Sequence, residues 1–135
     1  MNKEIKIAER GYAGHYICSS HCKFRRNTLI EFGDKRIVVS TVGNYSPCLP
    51  NGWKKSNFDN DIGAGGRKYE TMAFWAKYEK PYWEADVSKQ INFESEWAIG
   101  ELEYETDFKA DKMHDNIVKE ISNLLSNNLL KSDEK

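Results

Sequence analysis

Four side chains that could bind zinc lie close together in the stretch 14–27, which reads GHYICSSHCKFRRN. They are His15, Cys18, His21 and Cys22. Structural zinc sites usually draw their ligands from two separated pairs, because one short loop rarely wraps a tetrahedron alone. This spacing also lacks the C-x-x-C signature. The cluster is therefore a weaker candidate for a metal site than its composition suggests.

Strand geometry also works against a metal site. Side chains alternate between the two sides of an extended chain, so His15 and Cys18 would point apart. Zinc binding would require a turn at 19–20, and Cys48 or His114 could complete the ligand set from elsewhere. A thiol nucleophile beside a histidine is a further possibility, but no local motif supports it. We expect cysteines that pack as small apolar side chains, and neither a cofactor nor a metal.

The same stretch ends in an Arg-Arg-Asn run, which is the stronger functional candidate. Guanidinium groups bind phosphates through paired hydrogen bonds, and aromatic rings stack on bases. Basic and aromatic residues close together in the sequence therefore predict a nucleotide-like or phosphate-bearing ligand. The predicted ligand-binding residues are Arg25, Arg26, Asn27, Trp53, Lys54 and Glu70.

The run FRRNTLIEF alternates, so Arg25 and Arg26 should lie on opposite faces of a sheet. At most one of them can then enter a given site. The other would pair across strands with a carboxylate, for which Glu70, Glu84 and Asp86 are candidates. Glu84 and Asp86 share a strand face and could also hold a cation or act as acid and base. The solvated face of an antiparallel sheet gives the same pattern, and we favour it.

Strands must position these side chains, and strand signals run through much of the sequence. Residues 14–32 alternate as extended chain, and GDK followed by RIVVSTV predicts a hairpin around Gly33 and Asp34. RKYETMAFWAKY and YWEADVS continue the alternation, and EWAIGELEYE predicts an acidic edge strand. Residues 43–66 show no period and predict a long loop, which could cover a ligand with Trp53 and Lys54.

The last segment is the clearest helix. Its apolar residues keep helical spacing, and Asp107 or Asp111 can cap its start. The apolar residues are Met113, Ile117, Ile121, Leu124 and Leu125. We predict an α+β fold in which a mainly antiparallel sheet of about five strands spans about 12–105 and one helix, about 108–130, packs on a face.

Bulk properties favour one cytoplasmic domain spanning 1–135. The start, MNKEIKIAERG, lacks the apolar segment of a secretory signal, and no run is long enough to cross a bilayer. The three cysteines are an odd number, which favours reduced thiols.

Charge is unevenly distributed along the chain. Residues 1–68 carry 12 Lys/Arg and 6 Asp/Glu, and residues 69–135 carry 8 and 15. The split fits a homo-oligomer whose basic and acidic parts meet, or charges that cancel locally within one fold. An extended nucleic acid is not expected, because the net charge is −1.

Several segments resemble a small prokaryotic family associated with phages and mobile elements, a family without a settled activity. The resemblance covers residues 10–100 and brings no functional residues with it. The matching segments are GHYIC, CKFRRNT, VVSTVG, YETMAFWA and ADVSKQI. The resemblance to this family implies a counter-defence role, in which the protein either sequesters a nucleotide signal or blocks a host nuclease complex.

The leading hypothesis is a non-enzymatic binding protein for a nucleotide-like or phosphate-bearing ligand. One alternative is an anti-CRISPR-like inhibitor that binds a host defence protein, a nucleic-acid enzyme, through an acidic surface at 94–107. Another is a small hydrolase that uses His15, Cys18 and Cys22 with the carboxylates.

Overall fold

A computed structural model describes residues 4–10, 22–45, 68–99 and 106–130 of the chain. These residues form six antiparallel strands and one helix, so the predicted α+β fold is confirmed. The elements are β1 (Ile5–Glu9), β2 (Cys22–Phe32), β3 (Lys35–Tyr45), β4 (Tyr69–Glu79), β5 (Tyr82–Ile91), β6 (Ala98–Ile99) and α1 (Thr106–Ser126).

The strands lie in the order β1-β2-β3-β4-β5, and β6 pairs with β4 beyond the end of β5. The predicted hairpin is confirmed: Phe32 pairs with Lys35, and Gly33 takes a φ of 64°. A positive φ at the first turn position suits the twist of a two-residue hairpin, and glycine adopts it without steric cost.

Two boundaries differ from prediction. Strand β1 lies within a segment from which no strand was predicted, although the alternation of Ile5 and Ile7 with polar residues was a usable signal. The loop was predicted to start at residue 43, but β3 continues through Tyr45 opposite β2; the rest of the predicted loop, 46–66, lies outside the described residues.

The alternation predicted along β2 and β4 is confirmed, and each face of the sheet carries its own apolar cluster. One face packs on α1 through Ile30, Val39 and Ala73, which are buried with the helix stripe. The stripe is Ala110, Met113, Ile117, Val118, Ile121 and Leu125. The opposite face has its own smaller cluster, formed by Leu29, Val38, Phe74 and Ala85.

Helix α1 ends where its last carbonyls find main-chain partners. The Leu129 N–H donates to the Leu124 carbonyl at 2.8 Å and the Asn128 N–H to Leu125 at 3.2 Å, with Asn128 at a φ of 56°. This is a Schellman ending. The helix is therefore shorter than predicted, and Leu129 lies beyond it with an exposed side chain. No helix in the described ranges combines the length and apolar character needed to cross a bilayer.

The sheet curls on the face away from α1. The Arg10 Nε and Nη2 groups donate to Asn27 Oδ1 of β2 at 3.0 and 2.6 Å, and its Nη1 donates to the Trp83 carbonyl of β5. Strands β3 and β4 lie between β2 and β5, which in a flat sheet would separate them by about 14 Å. One guanidinium can reach both only because the sheet bends strongly.

Gly43 allows an aromatic ring to cross the sheet beneath the start of α1. It pairs with Tyr69 of β4, and a Cβ atom at Gly43 would lie 2.1 Å from Tyr69 Cδ2. The Tyr69 ring also packs edge-on against Phe24 at 5.6 Å. Its hydroxyl donates to the Asp107 carboxylate in the first turn of α1. The pKa of the Tyr69 phenol is raised above its ordinary value, mainly because the ring is buried and secondly because its hydroxyl contacts Asp107.

The Gly43→Ala substitution should destabilise the fold by about 1–3 kcal/mol, because the new methyl group overlaps the Tyr69 ring. The measurement is the free energy of unfolding by urea. The control is the same substitution in a Tyr69→Ala background, where most of the cost should vanish. An equal cost in both backgrounds would show that the ring is not the cause.

Candidate functional site

The edge of β4 opposite Thr71 is where the neighbouring strand is interrupted. Strand β5 pairs with β4 as far as Ile91 opposite Ala73, and pairing resumes when Ala98 of β6 lies opposite Glu70. Between them, residues 92–97 leave the ladder and return when the Thr71 N–H donates to the Trp97 carbonyl at 2.8 Å. A cleft of about 420 Å³ opens at this interruption, which we name the edge cleft.

The edge cleft combines aromatic and hydrogen-bonding side chains. Glu70 lies on its floor with only 9% of its surface exposed. Gln90 and Asn92 contribute carboxamides, and Phe93 and Trp97 contribute rings. The Trp97 side chain is 45% exposed, so an incoming ligand could cover it.

Glu120 of α1 holds the wall of this cleft. Its carboxylate accepts from the main-chain N–H groups of Glu94 and Ser95 at 2.5 and 3.0 Å, and from Ser95 Oγ at 2.5 Å. Burial opposes the charge on Glu120, but these hydrogen bonds outweigh burial and lower the pKa of the carboxyl. The segment 92–97 is thus tied to α1 through Glu120 and to β4 through Thr71.

Arg26 and Arg25 lie on opposite faces, since the alternation that separates them is the one observed along β2. Arg26 lies on the α1 side. Its Nε and Nη2 donate to Glu9 Oε1 at 2.7 and 2.5 Å, and its Nη1 donates to Asp115 Oδ1 at 2.7 Å. Asp111 lies 3.5 Å from the same Nη1. The chain's own carboxylates therefore surround the Arg26 guanidinium, although they are not the carboxylates predicted to pair with it.

Asn27 also has internal partners. It is buried on the face away from α1, and its Oδ1 accepts from Arg10. Arg10 in turn lies 3.7 Å from Glu84, one of the carboxylates predicted to pair with an arginine. Arg25 is exposed on that same face and is not among the described residues that line the edge cleft.

Of the remaining predicted ligand-binding residues, Glu70 lines the edge cleft, whereas Trp53 and Lys54 lie outside the described residues. The four aromatic and carboxamide residues of the cleft were not predicted. A usable signal was the run QINFESEW, where period-two alternation stops and polar and aromatic residues mix. These residues are Gln90, Asn92, Phe93 and Trp97.

The predicted zinc cluster falls almost wholly outside the described residues: His15, Cys18, His21 and Cys48 lie there, and the side chain of Cys22 is also not described. Within the described ranges, no group of three His, Cys, Asp or Glu side chains is placed to hold a metal ion. Asp86, considered for a cation site, accepts hydrogen bonds from Ser88 N and Oγ at 3.1 and 2.6 Å. The acidic segment 94–107 is described only in part, since 100–105 lie outside.

His114 occupies the centre of the interface between α1 and the sheet. It is fully buried, and Thr28 Oγ1 lies 2.7 Å from its Nε2 while Thr41 Oγ1 lies 2.6 Å from its Nδ1. The chain of hydrogen bonds extends at one end to Glu9 and at the other to Thr71. His114 is therefore a satisfied core histidine, and both of its nitrogens are already bonded.

The hydrogen-bond directions in this chain follow from its acidic end. An ionised Glu9 can only accept, so Thr28 donates to it and must accept from Nε2–H of His114. The Nδ1 atom then accepts from Thr41, which accepts from Thr71. Burial first, and the charge of Arg26 second, lower the pKa of His114 to about 3.

Stability should therefore fall as the pH drops below the unfolded-state pKa of His114, because the unfolded chain takes up a proton that the native imidazole refuses. With a native pKa of about 3, this group alone removes about 2 kcal/mol between pH 7.5 and 5. The measurement is urea unfolding at several pH values. The His114→Gln variant should lose this part of the pH slope and retain contributions from other groups. Equal slopes in the two proteins would contradict the assignment.

Charges from the two halves of the sequence meet within the fold. Arg26 pairs with Asp111 and Asp115, and Arg10 pairs with Glu84. These contacts join the basic first half to the acidic second half, so local cancellation accounts for part of the split.

The chain was compared with known protein families, curated proteins and solved structures, and nothing matches it in any of the three.

Proposed function

We propose that this protein binds a planar heteroaromatic ligand of the nucleobase type in the edge cleft. The observation that carries the proposal is the meeting of one buried carboxylate, two carboxamides and two aromatic rings at the interrupted edge of β4. The volume, about 420 Å³, falls within the range of about 300–1,000 Å³ typical of small-molecule sites.

Aromatic side chains supply the stacking surface. Phe93 and Trp97 belong to the same short segment, 92–97, and both line the cleft. Stacking of a base on an aromatic side chain contributes about 1–3 kcal/mol to the binding free energy, whichever base it is. The main chain of the segment is held at Ser95 by the Glu120 carboxylate and at Trp97 by the Thr71 N–H, so the backbone that carries the two rings is fixed before a ligand arrives.

Hydrogen-bonding groups supply the selectivity. A carboxylate only accepts, whereas each carboxamide both donates and accepts. Glu70 with Gln90 and Asn92 therefore matches the edge of a base that carries an amino group beside ring nitrogens and carbonyls. A carboxylate has about four lone-pair sites, so Glu70 can accept from a ligand in addition to its contacts within the chain.

Charge favours a base over a phosphate in this cleft. Among the described residues that line it, Glu70 is the one ionisable side chain, and a carboxylate repels a phosphate. The same observation favours binding over acid–base catalysis, which commonly uses an acid and a base placed on either side of the reacting atoms. The ligand expected here is thus the base part of the nucleotide-like molecule predicted from the sequence.

Binding of nucleobases and nucleosides, measured by isothermal titration calorimetry, tests the proposal. Trp97→Ala should weaken binding by about tenfold or more, because it removes the stacking ring. The Trp97 carbonyl that holds Thr71 remains in this variant. Glu70→Gln should weaken amino-bearing bases by about tenfold, because the carboxylate's charge-assisted hydrogen bond is lost.

The matched controls for this experiment change side chains that are not among the described residues lining the cleft. Tyr82→Ala removes an aromatic side chain that is 62% exposed on β5, and Glu94→Gln neutralises an exposed carboxyl. Both should bind as the parent protein does. If no base or nucleoside binds, or if all four variants bind equally, the edge cleft is not the ligand site.

A further inference from the structure

A second cleft lies on the other side of the segment 92–97, against α1. Its volume is about 550 Å³, and we name it the lysine cleft. Lys109, Lys112 and Asn116 enter it from α1, and Ser95 and Glu96 enter it from the segment. The segment thus separates two clefts of different chemistry.

The acidic and the basic side chains of this part of α1 lie on two different stripes of the helix surface. Asp111 and Asp115 are four residues apart and reach Arg26. Lys109, Lys112 and Asn116 are three and four residues apart, which places them on another stripe of the helix, and they line the lysine cleft. The carboxylates are therefore used to hold the sheet, and the ammonium groups are left for the cleft.

Helix stability does not explain Lys109. A cation in the first turn of a helix is opposed by the partial positive charge of the N-terminus, and α1 begins at Thr106. In the part of the chain that the structure describes, neither ammonium group has a carboxylate within 4.0 Å, even though Glu96 lines the same cleft. Lys112 lies 4.8 Å from the ring centroid of Phe108, which helps to orient it.

We propose that the lysine cleft binds the phosphate of the ligand whose base occupies the edge cleft. This inference rests on the proposed function and makes the ligand a nucleotide rather than a free base or nucleoside. Ser95 and Glu96 line one cleft, and Phe93 and Trp97 line the other. A single main chain therefore separates the two clefts, and an extended chain occupies about 4.8 Å between its neighbours in a sheet. We infer that one nucleotide can place its base on one side of this chain and its phosphate on the other.

The chemistry of the cleft suits a phosphate. The two ammonium groups supply the charge, and the Asn116 carboxamide can add a neutral donor. The Glu96 carboxylate also lines the cleft and repels a phosphate placed near it, so it opposes part of the attraction from the two lysines. The anion predicted from the Arg-Arg-Asn run is thereby assigned to two lysines on α1.

Calorimetry with nucleoside 5′-monophosphates and the corresponding nucleosides tests this assignment. The parent protein should bind the monophosphate about tenfold more tightly than the nucleoside, and the advantage should shrink as salt is added. The Lys109→Ala/Lys112→Ala variant should bind both about equally. The control, Lys119→Ala, removes an exposed lysine of α1 that does not line the cleft and should keep the tenfold advantage. An advantage that persists in the double variant, or is absent from the parent protein, overturns the assignment.

Inorganic pyrophosphate at low salt separates the failure of this assignment from the failure of the proposed function. It should shift the amide resonances of Ser95 and Asn116 in the parent protein and in Lys119→Ala, and should not shift them in the double variant. Such shifts without any nucleoside binding support the anion site and refute the base site. Nucleoside binding without such shifts overturns the anion site and leaves the base site standing.

Discussion

The imidazole of His114 is buried between α1 and the sheet, where both of its ring nitrogens can find hydrogen-bond partners at only one position of the helix. Its partners, Thr28 and Thr41, belong to neighbouring strands. Sliding α1 by one turn, about 5.4 Å, would leave the imidazole and both hydroxyls buried without partners, at about 1–3 kcal/mol for each group. An apolar stripe alone tolerates such sliding far better, because dispersion contacts have no strict direction.

The other contacts of α1 depend on this register. Near the start of the helix, the Asp107 carboxylate accepts a hydrogen bond from the Tyr69 hydroxyl. In the next turns, Asp111 and Asp115 form ion pairs with Arg26. Towards the other end, Glu120 holds the main chain of Ser95. The helix therefore positions the segment 92–97, which is the wall between the edge cleft and the lysine cleft. The position of one buried histidine thus bears on the shape of both candidate binding sites.

Much of the fold could be predicted from local pattern. The hairpin at Gly33, the division of the β4 side chains between two faces and the apolar stripe of α1 each follow from a period of two or 3.6 residues that the sequence displays directly. Strand β1 was missed because its alternation is short and lies among charged residues. The edge cleft was missed because its residues form no periodic pattern, and a cleft needs side chains from several elements, here β4, β5 and the segment 92–97.

Among the predicted site residues, Arg26, Asn27 and Glu70 also separate what local pattern can predict from what it cannot. Their faces on the sheet could be deduced from alternation, but their partners could not. Arg26 binds Asp115, which is 89 residues away in the sequence. Arg10, the partner of Asn27, also reaches Trp83 of β5 only because the sheet curls. The local pattern by itself determined the strands, the helix and which side chains share a face, since those depend on backbone geometry over a few residues. Tertiary structure alone decided which charges are neutralised internally and which side chains are left to face a cleft, because that depends on distances between residues remote in the chain.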